Sequence, residues 1–354
     1  MKLHKLSLVN FKNHLEINLE VNEDVVAISG LNGVGKTSIL DALYFLCVGK
    51  SYFSGTDVQC INNNEEIAGI RARVFKDEDI ELKIKFKRGA RKVIEQNGVV
   101  CKKVLDYIGQ FFAVVIAPGD IELIYGSNET RRGFVNQILS QTNTDYLKSL
   151  VRYNKLIEQR NRHLKQDIVD NDLLNTFDGQ IAPLAKALFK AREEFMFNFS
   201  DVFKKKYFEL AGEKENVKLT YVSQLSDQSY LDLAANNRAK DLAVQRSFTG
   251  VHKDEILVEL DQMLLKRFGS QGQIKSALIA LKLAEYEYVS KVKKVKPFLL
   301  LDDIFEKIDE DRATILTQII KRGNFGQIFI TDTNEDRLNR FCLSIGKSHQ
   351  TITL

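Results

Sequence analysis

Gly30-Leu-Asn-Gly-Val-Gly-Lys-Thr37 decides the reading of this chain. It fits G-x-x-x-x-G-K-[ST], the Walker A pattern of phosphate-binding loops. Its flanks fit too. Val25-Val-Ala-Ile-Ser29 is a short β-branched run that predicts a buried strand. Ser38 to Val48 predicts a helix, with Ile39, Leu40, Leu43, Leu46 and Cys47 on one face. Strand, glycine loop and helix are the context the motif needs. The glycines let backbone N–H groups face one anion, and the helix N-terminus adds its dipole. The candidate nucleotide contacts are Gly30, Leu31, Asn32, Gly33, Val34, Gly35, Lys36, Thr37 and Ser38. Lys36 would reach the β- and γ-phosphates of ATP, and the Thr37 hydroxyl would hold Mg²⁺. A glycine turn with a chance lysine is the plainer reading, and the flanks argue against it.

Two further stretches belong with the first. Pro297-Phe-Leu-Leu-Leu-Asp302-Asp303 is an apolar strand running into two carboxylates, a Walker B pattern. Asp302 is the candidate metal ligand with Thr37. Asp303 is the candidate catalytic carboxylate that polarises the attacking water. Alone, the pair reads equally well as a strand followed by a helix-capping Asp. Gly269-Ser270-Gln-Gly272-Gln273 precedes a predicted helix over Gln273 to Ser290. An N-cap serine explains it by itself. Order changes this: Walker A, then Ser-x-Gly-Gln, helix, strand and Asp-Asp is the order of ABC-type ATPases. In that class the signature loop of one subunit closes on nucleotide held by the other. Ser270, Gly272 and Gln273 are then candidate contacts in trans.

Outward from these motifs, both ends of the chain alternate strands and helices, as in an α/β fold. Leu3 to Phe11 predicts an edge or second-layer strand, and Leu15 to Val21 a half-buried one. Ile67 to Phe75, Ile80 to Lys87 and Val93 to Cys101 predict antiparallel strands, with Asn97-Gly98 as a tight turn. The middle is helical: Ser127 to Ser140, Asp145 to Gln166, and Leu173 to Leu210 with a break at Pro183. A helix of about 22 residues is about 33 Å long, so a short arm is expected, without the sustained heptads of a long coiled coil. The expected fold is an α/β ABC-type P-loop ATPase head with an adjoining antiparallel β-sheet and an inserted helical lobe. The head takes residues 1–125 and 245–354, and the lobe 126–244.

Bulk properties agree. The 354 residues are 44% hydrophobic and 28% charged, as for a globular protein, and the net charge of +4 permits an anionic partner without demanding one. The four cysteines, Cys47, Cys60, Cys101 and Cys342, form no C-x-x-C pair, which fits a reducing cytoplasm. No stretch has the length of a membrane span.

The chain resembles the RecF family of bacterial recombination-mediator ATPases over nearly its whole length. Leu8-Val-Asn-Phe-Lys-Asn13 is similar to the family's Asn-Phe-Arg/Lys-Asn opening. Ala117-Pro-Gly-Asp120 with Arg131 and Arg132 resembles its Ser-Pro-Glu-Asp…Arg-Arg segment, with Gly119 at the usual Glu. Thr249-Gly-Val-His-Lys-Asp-Glu255 resembles its Gly-x-His-Arg-Asp-Asp, and residues 269–285 its signature helix. Glu306-Lys-Ile-Asp309 departs from the usual Ser-Glu-Leu-Asp of the D-loop. No histidine follows the strand Gln327 to Ile330, and Thr331 and Asp332 occupy the switch position. The resemblance implies an ATPase that dimerises on ATP and recognises DNA at single-strand gaps. It also implies RecO- and RecR-type partners in loading the recombinase, and no chemistry on DNA.

Basic residues cluster on the predicted hairpins, and Lys87, Arg88, Arg91 and Lys92 are the candidate DNA contacts there, with Arg131 and Arg132 in the family motif. A solvated face is the plainer reading of each run alone. Phe195, Phe197, Phe199 and Phe203 predict packing rather than base stacking, and His252 reads as a phosphate contact or a structural hydrogen bond. Three rivals remain in view. A transporter ATPase subunit usually has about a hundred residues between Walker A and signature. An SMC-like DNA tether needs longer coiled coils. An ATPase-coupled nuclease needs a second acidic metal site, with little chain left beyond the last predicted strand.

Overall fold

A computed structural model describes residues 1–212, 215–306 and 310–354. Residues 307–309, and the side chain of Glu306, lie outside the described residues, so the D-loop departure has no structural account. The chain forms two compact units, one of Met1–Asp120 with Ile279–Leu354, the other Ile121–Leu278. The inserted lobe was expected over 126–244. The second unit extends beyond that and contains the strands and the Ser270 loop that follow it.

In chain order the strands are β1 (Lys2–Phe11), β2 (His14–Glu20), β3 (Val25–Ser29), β4 (Ile67–Phe75), β5 (Asp79–Lys87), β6 (Val93–Gln96), β7 (Val99–Val100) and β8 (Ala113–Ile116). They continue as β9 (Val217–Val222), β10 (Glu255–Leu260), β11 (Met263–Leu264), β12 (Phe298–Leu301), β13 (Ile328–Asp332) and β14 (His349–Thr353).

The first unit has two sheets. Five parallel strands run in the order β14-β3-β13-β12-β8. β3, β8, β12 and β13 are buried at every position; β8 and β12 are unbroken apolar runs, and β3 and β13 are apolar up to their carboxyl ends, Ser29 and Thr331-Asp332. Six antiparallel strands run β2-β1-β4-β5-β6-β7. Here burial alternates, as Ile70, Ala72 and Val74 on β4 and Leu82, Ile84 and Phe86 on β5 face inward. β1 is interior to this second sheet, with β2 outside it. Asn97 and Gly98 both have positive φ (49° and 79°), which is the backbone of a two-residue hairpin turn between β6 and β7.

The helix Lys36–Val48 follows β3. The sequence predicts one apolar face, yet twelve of its thirteen residues are buried. It shares one core with the inner face of the antiparallel sheet (Leu3, Leu6, Ile84, Phe86) and with Val26, Ile28, Val115 and Leu300 of the parallel sheet. A helix covered on both sides must be apolar all round.

The second unit holds helices Asn128–Thr142, Thr144–His163 and Asn171–Ala211 and the small sheet β11-β10-β9. The last helix is continuous for 41 residues through Pro183, about 62 Å at 1.5 Å per residue. The expected break is therefore absent. Pro183 removes only the bond to the carbonyl of Gly179, an exposed residue. Burial on either side, at Ile181 and Ala185, holds the helix together.

Candidate nucleotide site

The parallel register assembles the Walker motifs. Ile28 pairs with Thr331 and Ser29 with Asp332, while Leu301 pairs with Ile330. The carboxyl ends of β3, β13 and β12 thus bring Gly30, Thr331 and Asp302 to one edge, where ligands of open α/β sheets bind. Thr37 Oγ1 lies 2.9 and 3.1 Å from the two oxygens of Asp302. A hydroxyl and a carboxylate converging this way are the hard donors that Mg²⁺ takes. Asp302 is 4% exposed, and its backbone N–H donates to Ile116 O at 2.9 Å. Burial raises its carboxyl pKa, and hydrogen bonds from Thr331 and Thr37 draw it back.

Lys36 is buried, and its ammonium donates to the carbonyls of Gly30 (2.8 Å) and Leu31 (3.1 Å). Leu31, Asn32 and Gly33 are exposed, Val34 is half-buried, and Ser38 is buried in the first helical turn. Gly33 and Gly35 have φ of 87° and 103°, which a side chain rarely adopts. Gly35 has a second reason to be glycine. A Cβ there would fall 2.5 Å from His14 Nε2.

His14 belongs to a brace that sequence reasoning did not assign. His14 Nε2 lies 3.0 Å from Gly35 O, so that nitrogen carries the proton. Asn13 Nδ2 donates to Gly33 O at 2.9 Å. Lys12 pairs with the fully buried Asp41 of the loop's helix at 2.5 Å. Asp41 also accepts from Ser51 Oγ (2.6 Å) and Tyr52 N (2.7 Å). The Asn-Phe-Lys-Asn opening was the available signal, but a hairpin turn gives no hint of what it touches.

Ser270, Gly272 and Gln273 lie in the second unit. Ser270 N donates to Gln273 Oε1 (2.7 Å) and Gln273 N to Ser270 Oγ (3.2 Å), a reciprocal cap on the helix Gln271–Lys293. Gln273 Nε2 also donates to Glu215 at 2.7 Å. Ser270 is exposed, and Gly272 and Gln273 are half-buried.

The basic candidates divide. Lys87 and Arg91 are exposed. Arg88 is half-buried and donates to Glu65 O (2.9 Å) and Asn62 O (3.2 Å). Lys92 pairs with Asp57 at 2.7 Å and lies over the Phe45 ring. Arg131 is 5% exposed, with its guanidinium donating to Ile256 O (2.6 Å), Gly126 O (2.8 Å) and Asn128 Oδ1 (2.9 Å). Arg132 is half-buried and donates to Asp254 O at 2.6 Å. His252 accepts from the Tyr153 hydroxyl at Nδ1 (2.7 Å) and donates from Nε2 to Ser247 O (3.2 Å). It is a structural hydrogen bond. Phe195, Phe199 and Phe203 are buried, whereas Phe197 is 79% exposed.

An AAA domain family model matches residues 5–321. DNA replication and repair protein RecF of Flavobacterium johnsoniae is 40% identical, covering 99% of this chain and 98% of that protein. The protein of the same name from Bacteroides fragilis is 35% identical, over 99% and 95%. This chain belongs to the RecF family. Among solved structures, the recombination mediator protein RecF with ATP, described in the RecFOR pathway, superposes with a TM-score of 0.86 at 27% identity, covering 94% of this chain and 92% of that one. An Smc head bound to the C-winged helix domain of ScpA superposes at 0.56 with 16% identity, over 99% and 94%, a likeness of fold alone. The RecF match identifies the α/β architecture as an ABC-type ATPase head, and the chain is a RecF-family DNA replication and repair ATPase. No described helix is long and apolar enough to cross a membrane.

Proposed function

We propose that the protein is an ATP-dependent DNA-binding switch of recombinational repair and replication-gap processing. It dimerises on ATP, binds single-stranded and gapped duplex DNA, and acts with RecO- and RecR-type partners to load the recombinase. The convergence of Thr37 and Asp302 on one point beside the Lys36 loop carries this reading. The solved RecF bound to ATP supports the choice of nucleotide.

Lys36 exchanges its bonds to the loop carbonyls for the β- and γ-phosphates. Thr37 and Asp302 hold Mg²⁺, which offsets phosphate charge when bound. Asp303 orients the attacking water and takes its proton. Ser270, Gly272 and Gln273 contact the nucleotide of a second copy. The reciprocal cap leaves Ser270 exposed at a helix start, which suits an anion. Turnover is slow, as befits a switch, and no covalent step on DNA is assigned. Lys87 and Arg91 are exposed and available to phosphate. Arg88, Lys92, Arg131 and Arg132 act through the folds that position them.

Binding to gapped, duplex and single-stranded DNA, with and without Mg-ATP, tests the whole reading. Gapped DNA should gain affinity on adding ATP. Lys36→Ala should abolish that gain and the nucleotide affinity while keeping the wild-type circular dichroism spectrum. Wild-type nucleotide affinity in folded Lys36→Ala would remove the P-loop from the mechanism.

A further inference from the structure

Thr331 stands at the switch position, where its role was open. It is the penultimate residue of β13, lies beside Asp302 and is fully buried, between the buried Ile330 and the buried Asp332. Its hydroxyl has one proton and two lone pairs. The proton goes to Asp302 Oδ1 at 2.9 Å. A lone pair accepts the backbone N–H of Asp303 at 3.0 Å. Asp303 has φ of +41°, a left-handed conformation that a residue with a side chain adopts only when its surroundings impose it.

We propose that Thr331 is a positioning residue that fixes both Walker B carboxylates through one hydroxyl. This rests on the ATPase reading above and deepens it. Towards Asp302, the hydroxyl orients the carboxylate that converges with Thr37, as outer partners orient metal ligands. Towards Asp303, it captures the amide of the left-handed turn and so sets where the side chain leaves the backbone. A β-branched residue suits this task, because χ1 is stiff and the hydroxyl cannot swing away. Valine would fill the same space. A buried hydroxyl is unfavourable without bonds, and here both of its bonds go to the two acidic residues.

The test compares Thr331→Val and Thr331→Ser with wild type. Four quantities are read: thermal midpoint without nucleotide, ATP affinity without metal, the Mg²⁺ concentration giving half the metal-dependent gain in affinity, and kcat against KM for ATP. Thr331→Val should keep metal-free ATP affinity within about twofold. Its half-saturating Mg²⁺ should rise about tenfold and kcat fall about tenfold, with KM nearly unchanged. Thr331→Ser should recover most of both. Wild-type Mg²⁺ dependence and kcat in Thr331→Val would overturn the proposal. So would equal impairment of the Val and Ser proteins, which would make Thr331 a packing residue. Wild-type protein that binds no ATP would instead overturn the ATPase reading on which the proposal rests.

Discussion

His252 carries a consequence of its two hydrogen bonds. Ser247 O only accepts, so Nε2 holds the proton, and Nδ1 is occupied by the Tyr153 hydroxyl. The neutral ring is satisfied at both nitrogens, and a proton on Nδ1 would displace the hydrogen bond it accepts from the Tyr153 hydroxyl. Burial, chiefly, pushes its pKa down to about 4, and the nearby cations Lys253, Arg132 and Arg246 add to this. Unfolded histidine titrates near 6.5. The stabilisation is therefore complete above pH 6.5 and is lost as pH falls towards 4, by about 3 kcal/mol. Urea midpoints of wild type and His252→Gln across that range should diverge accordingly. Parallel pH profiles would clear His252 of any part in acid sensitivity. Individual residues differ in how far sequence reveals them. The meeting of Thr37 with Asp302 was legible, because the two motifs place a hydroxyl and a carboxylate at the carboxyl ends of strands in one parallel sheet. Arg131 was not, since a guanidinium aimed at phosphate and one aimed at Gly126 O and Ile256 O are the same letter. Only burial tells them apart.

Among the elements, β3, β12 and the turn Asn97-Gly98 could be read almost to the residue, because fully buried parallel strands and type I′ turns have narrow chemistry. The helix Asn171–Ala211 was legible in extent, as Leu173 to Leu210, but not in its continuity through Pro183 or in its seam. Between Leu174 and Phe199 a buried row runs through Asp178, Ile181, Ala185, Leu188, Arg192 and Phe195 in alternate steps of four and three, with Met196 buried beside it. That is a heptad seam, hidden by the two charges in it. Each charge has a buried partner: Asp178 meets Arg160 at 2.8 Å, and Arg192 meets Asp254 at 2.5 Å. Asp254 also accepts from Tyr221 and Ser223, both at 2.6 Å. β14 was missed for a different reason. Its burial alternates between exposed and half-buried, since it is the edge of the parallel sheet. The seam makes a prediction. Arg192→Met keeps the length and apolar stem but strands the Asp254 charge in the interior. Breaking a buried pair from one side should lower stability by about 3 kcal/mol, seen as a lower urea midpoint with unchanged slope. The double change Arg192→Met with Asp254→Asn should recover part of that loss. A single variant as stable as wild type would mean that the pair only specifies the packing.

At the scale of the whole molecule, each copy has Walker A and Walker B in one compact unit and the signature loop in the other. In the ABC arrangement these halves complete each other across two copies, with ATP held from both sides. Two apolar side chains flank the motifs in water: Leu31 in the P-loop, 77% exposed, and Phe268 beside the signature, 66% exposed. The proposed assembly on a second copy would give both a reason to be apolar. The dimer should then depend on nucleotide occupancy rather than on turnover. Asp303→Asn keeps the side-chain shape and removes the base, so it should bind ATP, stay dimeric and accumulate in that state. Ser270→Arg sets a bulky charge where the partner's nucleotide would approach, so it should bind ATP as a monomer. Light scattering at saturating Mg-ATP separates the two variants, roughly 40 kDa against twice that, given a chain of 40.4 kDa. A mixture of Ser270→Arg and Lys36→Ala adds a further constraint. Pairing them opposes the intact P-loop of the first to the intact signature of the second at one of two composite sites. Partial dimerisation should therefore return on mixing, although neither protein dimerises alone. Dimers of Ser270→Arg by itself, or a monomeric Asp303→Asn with ATP bound, would show that the signature does not close on a second copy.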